Sequence, residues 1–545
     1  MRVIDRIIQI LCLKVSLIKL MFYILFTSHK IYKSSPCEEC MTLVESTHTP
    51  NYTKIMITGI LFSVGASVLS AIFGYLFRII LARGLSIEEY GTYYAVVGLF
   101  SVFGFLQSLG LKTALMKEIP VYNSQKNIPA LKKIIWSSFG IWFGISTIIS
   151  IITILLSKTI AVHYLKDFTL APVIVTYSIL FLLYPLESLL RSCFFGFQKA
   201  EYVSLMDVLK SIIVSLLTVI LFLLIGNVVI APVIAYILTY MVVTVGFGLP
   251  LLKRIFPQKT LSPKEKTPKT MRSFLSFGAM ASITEIVELV LVSTDTVLIT
   301  ILSSLTEVGY YNVGMPTARI LWRLIAPLSQ IFLPLTSLLW SQGEREKLRQ
   351  GIHELYHYSL ILMLPSAFAL MFYAKLVIIT LFGSDYAPAV PVLQILAFSS
   401  IFCYLSKIST TTLMGIGKPE LVTKITLVSS ILNFIANIIL IPIMGSVGAA
   451  IGTLLSFVIL TVASQRQLNK QLGTRIIDNK TLRILFSGFL FVLITMFFQN
   501  IVVSANILGA ILSTLVAGVL YIGALFLFRC LVPQDIRRIY KAVIR

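Results

Sequence analysis

The chain has 545 residues, of which 57% are hydrophobic and 12% charged, and its mean hydropathy is +0.92. Apolar runs of twenty or more residues recur along nearly its whole length, which is typical of an integral membrane protein with many helices and excludes a water-soluble protein. The formal net charge of +22 does not indicate nucleic acid binding. The basic residues lie between the apolar runs, where they meet anionic lipid and fix orientation.

Residues 1–54 form an N-terminal extension outside the main pattern. Its run IIQILCLKVSLIKLMFYILF is interrupted by Lys14 and Lys19, so no apolar stretch there reaches spanning length. One interpretation is an amphipathic interfacial helix or a poor signal-like segment. The other is that the extension is spurious, with Met41 or Met56 as the true start.

The rest of the chain predicts an all-α polytopic membrane protein with fourteen transmembrane helices. Residues 55–252 form an N-lobe of six helices, 253–272 a basic cytoplasmic linker, 273–465 a C-lobe of six helices, and 466–545 two last helices with a basic cytoplasmic tail. The predicted spans are 57–82, 91–114, 134–156, 171–194, 204–225, 229–252, 273–301, 308–340, 354–380, 388–413, 420–442, 446–465, 483–502 and 505–528.

The cations in the loops predict the orientation of these spans. One alternate set of loops, with the C-terminus, carries twenty-five lysines and arginines, whereas the other set carries only Arg83, Lys158 and Lys166. Cations are enriched on the cytoplasmic side of membrane proteins. We therefore expect a multi-pass protein of the plasma membrane with both ends of its helical core in the cytoplasm.

The two lobes repeat each other weakly but in register. The segment GFQKAEYV from Gly196 matches GIGKPELV from Gly415, EYGTY from Glu89 matches EVGYY from Glu307, and GNV from Gly226 matches GSV from Gly445, all at offsets of 218 or 219 residues. Because six spans separate the copies, both enter the membrane in the same direction. Two such lobes facing each other leave a central cleft, which is typical of secondary transporters. The sequence contains no phosphate-binding loop, GxSxG or HExxH motif, so we expect neither an enzyme nor catalytic residues.

Four segments carry a family resemblance: RIILARGLSIEEYGTYYAV (78–96), DTVLITILSSLTEVGYYNVG (295–314), LMGIGKPELV (413–422) and LNFIANIILIPIMGSVGAAIGT (432–453). In order and spacing they resemble the polysaccharide transporter branch of the multidrug/oligosaccharidyl-lipid/polysaccharide flippase superfamily. The resemblance extends over about residues 55–530. It implies two bundles in a V shape that flip a lipid-linked oligosaccharide, such as a polyprenyl-diphosphate sugar, from the cytoplasmic to the outer leaflet.

An anionic diphosphate cargo needs fixed cations at membrane depth, where they are costly and rarely retained without use. Arg319 and Arg323 are four residues apart on the eighth span and share one face, and Arg78 lies in the outward third of the first span. Glu285 and Glu288, on the seventh span, complete the candidate substrate site. They either line it or pair with the two arginines as structural ion pairs.

Three acids, Glu285, Glu288 and Asp295, share one stripe of the seventh span, which must face the bundle interior because acids facing lipid are too costly. Counting from the outer ends of their spans puts Asp295, Asn437 and Thr453 at one level, with Asn433 one turn deeper than Asn437. This oxygen-rich set predicts a coupling-ion site, with sodium as the candidate metal. The family resemblance implies the same, because some lipid-linked-sugar flippases of the superfamily use a sodium site between these helices. The alternatives are an Asp295 that takes up and releases a proton, or polar packing between helices.

Two further groups of charged residues have simpler interpretations. Glu187, Arg191, Asp207 and Lys210, near the cytoplasmic ends of the fourth and fifth spans, are typical of an interfacial charge network. The long side chains of Lys375 and Lys407 can reach the membrane surface from within their spans. Neither group is included in the candidate sites.

The expected partners are the lipid-linked oligosaccharide, membrane lipids and other membrane proteins of the same polysaccharide pathway, with the transporter working as a monomer and without a cofactor other than sodium or a proton. Two rival functions remain. A multidrug exporter of the same superfamily would favour acidic and aromatic cleft walls, which paired arginines do not match. A membrane-embedded glycosyltransferase or polymer ligase would carry a large outer loop with catalytic groups, whereas the outer loops here are mostly short.

Overall fold

The computed structural model describes residues 52–108, 110–256, 294–323, 326–473, 478–502 and 507–531. Residues 1–51 of the extension, most of the basic linker, Glu285 and Glu288 therefore lie outside the described residues. Contacts divide the chain into a unit of Met1–Thr58 and a unit of Gly59–Arg545. The contacts described below lie within the second unit.

All regular structure in the described residues is helical. The N-lobe consists of α1 (Tyr52–Gly84), α2 (Ile87–Ser108), α3 (Leu111–Ser124), α4 (Ile128–Leu155), α5 (Ser157–His163), a 3₁₀ turn (Phe168–Leu170), α6 (Ala171–Gly196), α7 (Ala200–Ile225), α8 (Ile230–Tyr240), a π-helix (Met241–Gly248) and α9 (Leu249–Ile255).

The C-lobe begins with α10, which is described over residues 294–302. It continues with α11 (Leu305–Arg323), α12 (Ala326–Ser341), α13 (Arg345–Phe372), α14 (Ala374–Leu381), a 3₁₀ turn (Ser384–Ala389), α15 (Val390–Gly415) and α16 (Pro419–Leu472). The last two helices are α17 (Asn479–Val502) and α18 (Ile507–Leu527).

The predicted fold class is confirmed. Nine helices among the described residues are long and apolar enough to cross a membrane. Their outer faces are lined with large apolar side chains, such as Leu223, which is 80% exposed, and Ile443, which is 75% exposed. Lipid stabilises such a surface and water does not. The chain is thus a polytopic all-α membrane protein, whereas the number of fourteen spans stays a prediction.

Several predicted boundaries differ from the helices. The predicted eighth span, 308–340, covers both α11, which is described up to Arg323, and α12, which is described from Ala326. The predicted loop after the second span contains α3, an amphipathic helix whose Leu111, Leu115 and Ile119 are buried. Here the charged face of α3 hides its helical periodicity from a search for apolar runs.

Helix α16 contains the predicted boundary between the eleventh and twelfth spans. Gly445 has φ 57° and ψ −131°, a backbone conformation that interrupts the helix. A side chain would be strained there, so glycine is the residue that permits the reversal. We call residues 419–444 the first arm of α16 and residues 446–472 its second arm.

The repeat seen in the sequence is also a repeat of backbone conformation. Gln198 (φ 58°) and Gly417 (φ 78°) are both left-handed and are 219 residues apart. Gly226 (φ 88°) and Gly445 (φ 57°) are also left-handed and have the same separation. The chain thus turns at matching positions in each lobe.

The lobes share a hydrophobic core at one end only. At the end that carries the cation-poor loops, Tyr90 and Tyr94 of the N-lobe belong to one buried cluster with Tyr311 and Tyr386 of the C-lobe. At the opposite, cation-rich end, the buried clusters of the described residues belong to single lobes; one includes Trp142 and others are centred on C-lobe residues. The lobes therefore join at the cation-poor end.

The last two helices attach to the C-lobe. The Tyr521 hydroxyl on α18 donates to Ile361 O on α13 at 3.1 Å. Asp478 caps the start of α17 by accepting from Thr481 N at 2.7 Å and lies 3.1 Å from His357 Nε2 on α13. Burial alone would raise the pKa of Asp478, but the hydrogen bonds from Thr481 and His357 outweigh it and hold that pKa below its usual value.

Candidate functional site

A buried carboxylate lies at the centre of the candidate ion site. Asp295, near the cation-poor end of α10, is 1% exposed. Asn437 Nδ2 donates to its Oδ1 at 2.7 Å, and Thr453 Oγ1 donates to its Oδ2 at 3.1 Å. The Tyr311 hydroxyl also donates to Oδ2. Three further helical segments thus each supply a donor to one carboxylate, which offsets part of the cost of burying it.

The break at Gly445 brings the two arms of α16 to this carboxylate. Asn437 lies eight residues before Gly445 and Thr453 eight residues after it, so the reversal brings both to one level. The arms approach closely, since a Cβ at Gly452 would lie 2.4 Å from Asn437 Oδ1. The level that was predicted by counting residues is the level at which Asp295, Asn437 and Thr453 meet, although their role as ion ligands stays a prediction.

One acceptor in this cluster is not satisfied by the protein. Asn437 Nδ2 also donates to Asn433 Oδ1 at 3.3 Å, but Asn437 Oδ1 is buried and has no hydrogen-bond partner among the described residues. A buried carbonyl oxygen without a donor is costly. The carboxylate of Asp295, the amide oxygens of Asn433 and Asn437 and the Thr453 hydroxyl form a buried set of hard oxygen donors that fits a small cation such as sodium.

Arg319 lies within electrostatic reach of Asp295. It is partly buried on α11, and its guanidinium carbon lies 5.7 Å from the centre of the Trp322 ring. The Trp322 indole in turn donates to Ser400 Oγ on α15 at 2.8 Å, so α11 and α15 are joined beside the arginine. An arginine in this position links the electrostatics of the candidate cargo site to that of the candidate ion site.

Three residues predicted to lie beside Arg319 have side chains outside the described part of the structure. Arg323 is the last residue of α11, and its side chain lies outside the described residues, as do Glu285 and Glu288. The alternatives of an arginine pair for cargo and of structural arginine–glutamate pairs both stay open.

Lys407 is a cation that the sequence interpretation left outside the site. It is exposed on α15, eight residues before the end of that helix, and both Lys407 and Arg319 interact electrostatically with the Cys403 thiol. The signal in the sequence is a lysine six residues before the end of the predicted span 388–413, a position from which its side chain can also reach the membrane surface. Lys407 is thus a second cation of the C-lobe, in addition to Arg319.

Arg78 does not lie with Arg319. Its Nη1 is 3.5 Å from Asn312 O on α11, and its guanidinium carbon lies 4.7 Å from the centre of the Tyr94 ring. Asn312 is seven residues from Arg319, about two turns or roughly 10 Å along the helix. Arg78 therefore belongs to the junction of the two lobes in this structure.

The predicted charge network of Glu187, Arg191, Asp207 and Lys210 consists of two ion pairs. Arg191 makes a forked contact with Asp207, with Nη1 to Oδ1 at 2.7 Å and Nη2 to Oδ2 at 3.0 Å. Lys210 Nζ lies 3.1 Å from Glu187 Oε1 and 3.8 Å from the centre of the Tyr240 ring. These contacts join α6, α7 and α8, as expected of a structural network.

Comparison with known proteins gives the family. The sequence profile of the family described as "Polysaccharide biosynthesis protein" matches residues 56–340, which is 285 of the 545 residues, and the MatE profile matches residues 281–439. An uncharacterized membrane protein of Methanocaldococcus jannaschii (MJ1068) is 27% identical over 87% of this chain and 94% of its own length. The probable low-salt glycan biosynthesis flippase Agl15 of Haloferax volcanii is 28% identical over 42% of this chain and 47% of its own length.

Solved structures give the same fold. The lipid II flippase MurJ in an inward closed conformation has a TM-score of 0.70 at 17% identity, covering 86% of this chain and 99% of that one. An inward-facing multidrug resistance transporter of the same superfamily has a TM-score of 0.63 at 13% identity, covering 75% and 98%. The chain therefore belongs to the family described as "Polysaccharide biosynthesis protein", the polysaccharide branch of the multidrug/oligosaccharidyl-lipid/polysaccharide flippase superfamily.

Proposed function

We propose that this protein flips a lipid-linked oligosaccharide with a polyprenyl-diphosphate anchor from the cytoplasmic to the outer leaflet of the plasma membrane, driven by inward movement of sodium. The observation that carries the proposal is the buried oxygen cluster around Asp295, which interacts electrostatically with the partly buried Arg319.

The place where the lobes join supports the proposed direction of transport. The cation-rich end corresponds to the cytoplasm by the rule that cations are enriched there. The lobes share a core at the other, cation-poor end. With this orientation the shared core closes the outer end, which supports entry of the cargo from the cytoplasmic leaflet.

The cations of the C-lobe supply binding energy for an anionic headgroup. Arg319 offers a planar fork of donors that matches phosphate oxygens, and Lys407 adds a second positive charge. Lys407 lies within a helix that is long and apolar enough to cross a membrane, and Arg319 lies within the predicted eighth span, where a charge without a use is costly. A diphosphate that bridges the two would exchange hydration for charge-assisted hydrogen bonds, while the prenyl chain stays in lipid.

The ion cluster would supply the driving force. Asp295, Asn433, Asn437 and Thr453 would hold sodium, whose inward movement across 100 mV supplies about 2.3 kcal/mol. Outward movement of the anionic headgroup is favoured by the same potential. A proton carried by Asp295 is the alternative coupling ion.

A second candidate function is export of organic cations, and the MatE match over residues 281–439 favours it. Against it stand Arg319 and Lys407, which would repel a cationic drug. The two functions differ in the sign of charge on the cargo, so a single pair of transport assays separates them.

The test uses purified protein in vesicles that contain a polyprenyl-diphosphate disaccharide with a fluorophore on the sugar. A membrane-impermeant quencher then measures how much sugar is in each leaflet. Flipping should depend on a sodium gradient and fall to background in Asp295→Asn, whereas Asp385→Asn, a matched change at an exposed acid in the turn before α15, should leave it intact. Vesicles that take up a cationic dye but leave the lipid in place would favour the drug exporter.

A further inference from the structure

A five-residue segment of α11, Glu307–Tyr311, contacts three separate parts of the molecule. Its sequence is EVGYY, the C-lobe copy of the motif that the sequence repeats. Glu307, Gly309 and Tyr311 each make a different contact. Together these contacts link the candidate ion site to the junction of the lobes.

Glu307 holds the break in α16. Its Oε2 accepts a hydrogen bond from Ser446 N at 2.8 Å and another from the Ser446 hydroxyl. A Cβ at Gly445 would lie 2.6 Å from the same carboxylate, so the carboxylate packs directly on the break. A carboxylate at the first residue of the second arm caps that arm and interacts favourably with its dipole.

Gly309 lies where α11 crosses α2. A Cβ on Gly309 would lie 2.7 Å from Ile87 O, and a Cβ on Gly91 would lie 1.8 Å from Leu305 O. Gly91 and Gly309 are matching residues of the two repeats, as are Ile87 and Leu305. The crossing therefore brings two backbones together at the cation-poor end, and no side chain larger than hydrogen fits between them.

Tyr311 reaches the ion site. It is 2% exposed, and its hydroxyl donates to the Asp295 carboxylate. It lies two residues from Gly309, so a change in its position moves the crossing as well. Any cation on Asp295 would compete with this hydroxyl for a carboxylate oxygen.

The N-lobe copy, EYGTY at 89–93, lacks two of the three links. Glu89 Oε2 accepts from Ser86 N and from Ser86 Oγ, both at 2.9 Å, and so caps only its own helix. Tyr93 packs on the ring of Phe77, with ring centres 6.2 Å apart. The two copies share the glycine crossing but differ in what their glutamate and tyrosine contact.

We propose that Glu307 and Tyr311 transmit the state of the Asp295 site to the α2–α11 crossing, so that ion occupancy controls opening of the outer end. Glu307 ties α11 to the second arm of α16, which carries Thr453, and Tyr311 ties it to Asp295. When a cation takes the Asp295 oxygen that Tyr311 and Thr453 share, α11 and the second arm are released together from α10, with Glu307 still joining them, and the crossing separates. Glu307 is a positioning residue, and this inference rests on the ion site of the proposed function.

The experiment measures ion binding and gate distance separately. In a variant without native cysteines, spin labels on Val162→Cys and Asp385→Cys, exposed positions on opposite lobes at the cation-poor end, report the width of the outer end by pulsed electron paramagnetic resonance. Radioactive sodium binding to the same samples reports the site. We expect sodium, compared with potassium, to change the ratio of wide to narrow distances by about 5- to 150-fold, the range of typical coupling energies.

Glu307→Ala should bind sodium but lose most of the change in distance, whereas Glu89→Ala, the matched change in the other repeat, should keep it. Ser446→Ala removes the hydroxyl donor to Glu307 but keeps the backbone donor, so it should weaken the change in distance. If Glu307→Ala does not fold, this variant provides the test. A full response in the folded Glu307 variant would overturn the inference and leave the proposed function standing. Wild-type protein that binds no sodium would overturn both.

Discussion

Gly91 packs on the main chain of Leu305, so closely that a Cβ on Gly91 would lie 1.8 Å from the Leu305 carbonyl oxygen. This contact joins α2 to α11 and closes the cation-poor end. Because a carbonyl oxygen in a helix cannot move away from a methyl group without moving its helix, Gly91→Ala should hold the outer end open. Export should fall at least about tenfold, the effect of about 1.4 kcal/mol.

The measurement is vesicle export together with the labelling rate of a cysteine at the outer end. Gly65→Ala on α1 is the control, because a Cβ there meets nothing within 4 Å and alanine favours helix. An unchanged export rate in Gly91→Ala would mean that the crossing does not take part in transport.

Arg83 fastens the same end by a different contact. Its guanidinium donates from the N-lobe to Thr380 O at 2.6 Å and to Leu381 O at 3.0 Å, the last carbonyls of α14 in the C-lobe. A cation at a helix C-terminus contributes about 0.3–1 kcal/mol. Arg83→Gln should therefore raise the open-to-closed ratio of the outer end about two- to fivefold.

Spin-label distances at low and high salt check this, because screening should shrink the effect of the exposed arginine. Lys158→Gln provides the control, since Lys158 lies near the Phe168 ring of its own lobe. Equal shifts in both variants would assign the effect to net charge rather than to the contact.

Arg319 should be needed for the cargo. Arg319→Ala should reduce export more than tenfold, and Arg319→Lys should restore it only in part, because an ammonium group lacks the forked geometry. Lys407→Gln should raise the cargo concentration for half-maximal export, whereas Lys375→Gln, at an exposed lysine of α14, should not.

The structural alternative for Arg319 has its own test. Replacing Arg319, Arg323, Glu285 and Glu288 together by neutral residues removes any ion pairs and any cargo site at once. Full export in that variant would support the structural pairs and reject the cargo site.

The N-lobe pair of Glu187 and Lys210 should matter for stability. Glu187→Gln leaves a largely buried ammonium without its partner, and breaking such a pair typically costs about 3–5 kcal/mol. The double change Glu187→Gln with Lys210→Met should recover most of this cost. Thermal unfolding of the purified protein measures both, and a single variant of normal stability without export would instead indicate a role in binding.

The sequence predicted the level of the ion cluster because helices rise by a fixed distance per residue, so counting from span ends located Asp295 beside Asn437 and Thr453. The same count did not identify Tyr311 as a neighbour of Asp295, although its distance from the turn indicates that position. A hairpin that turns at residues 303–304 pairs residues about equally distant from the turn, which sets Tyr311 opposite Asp295.

The glycine crossing could not be predicted in the same way. Gly91 and Gly309 were recognised as members of a repeat, but the contact between them depends on how two lobes meet, and helix periodicity carries no information on that.

The contact between His357 and Asp478 determines which helices move together as one body. It anchors the start of α17 to α13, and the contact of Tyr521 with Ile361 anchors α18 to the same helix. When the lobes separate, α17 and α18 thus move together with the C-lobe and add to its mass. The smaller N-lobe therefore moves further from the common centre of mass. A probe on α18 would therefore report motion of the C-lobe and would not report the opening of the outer end.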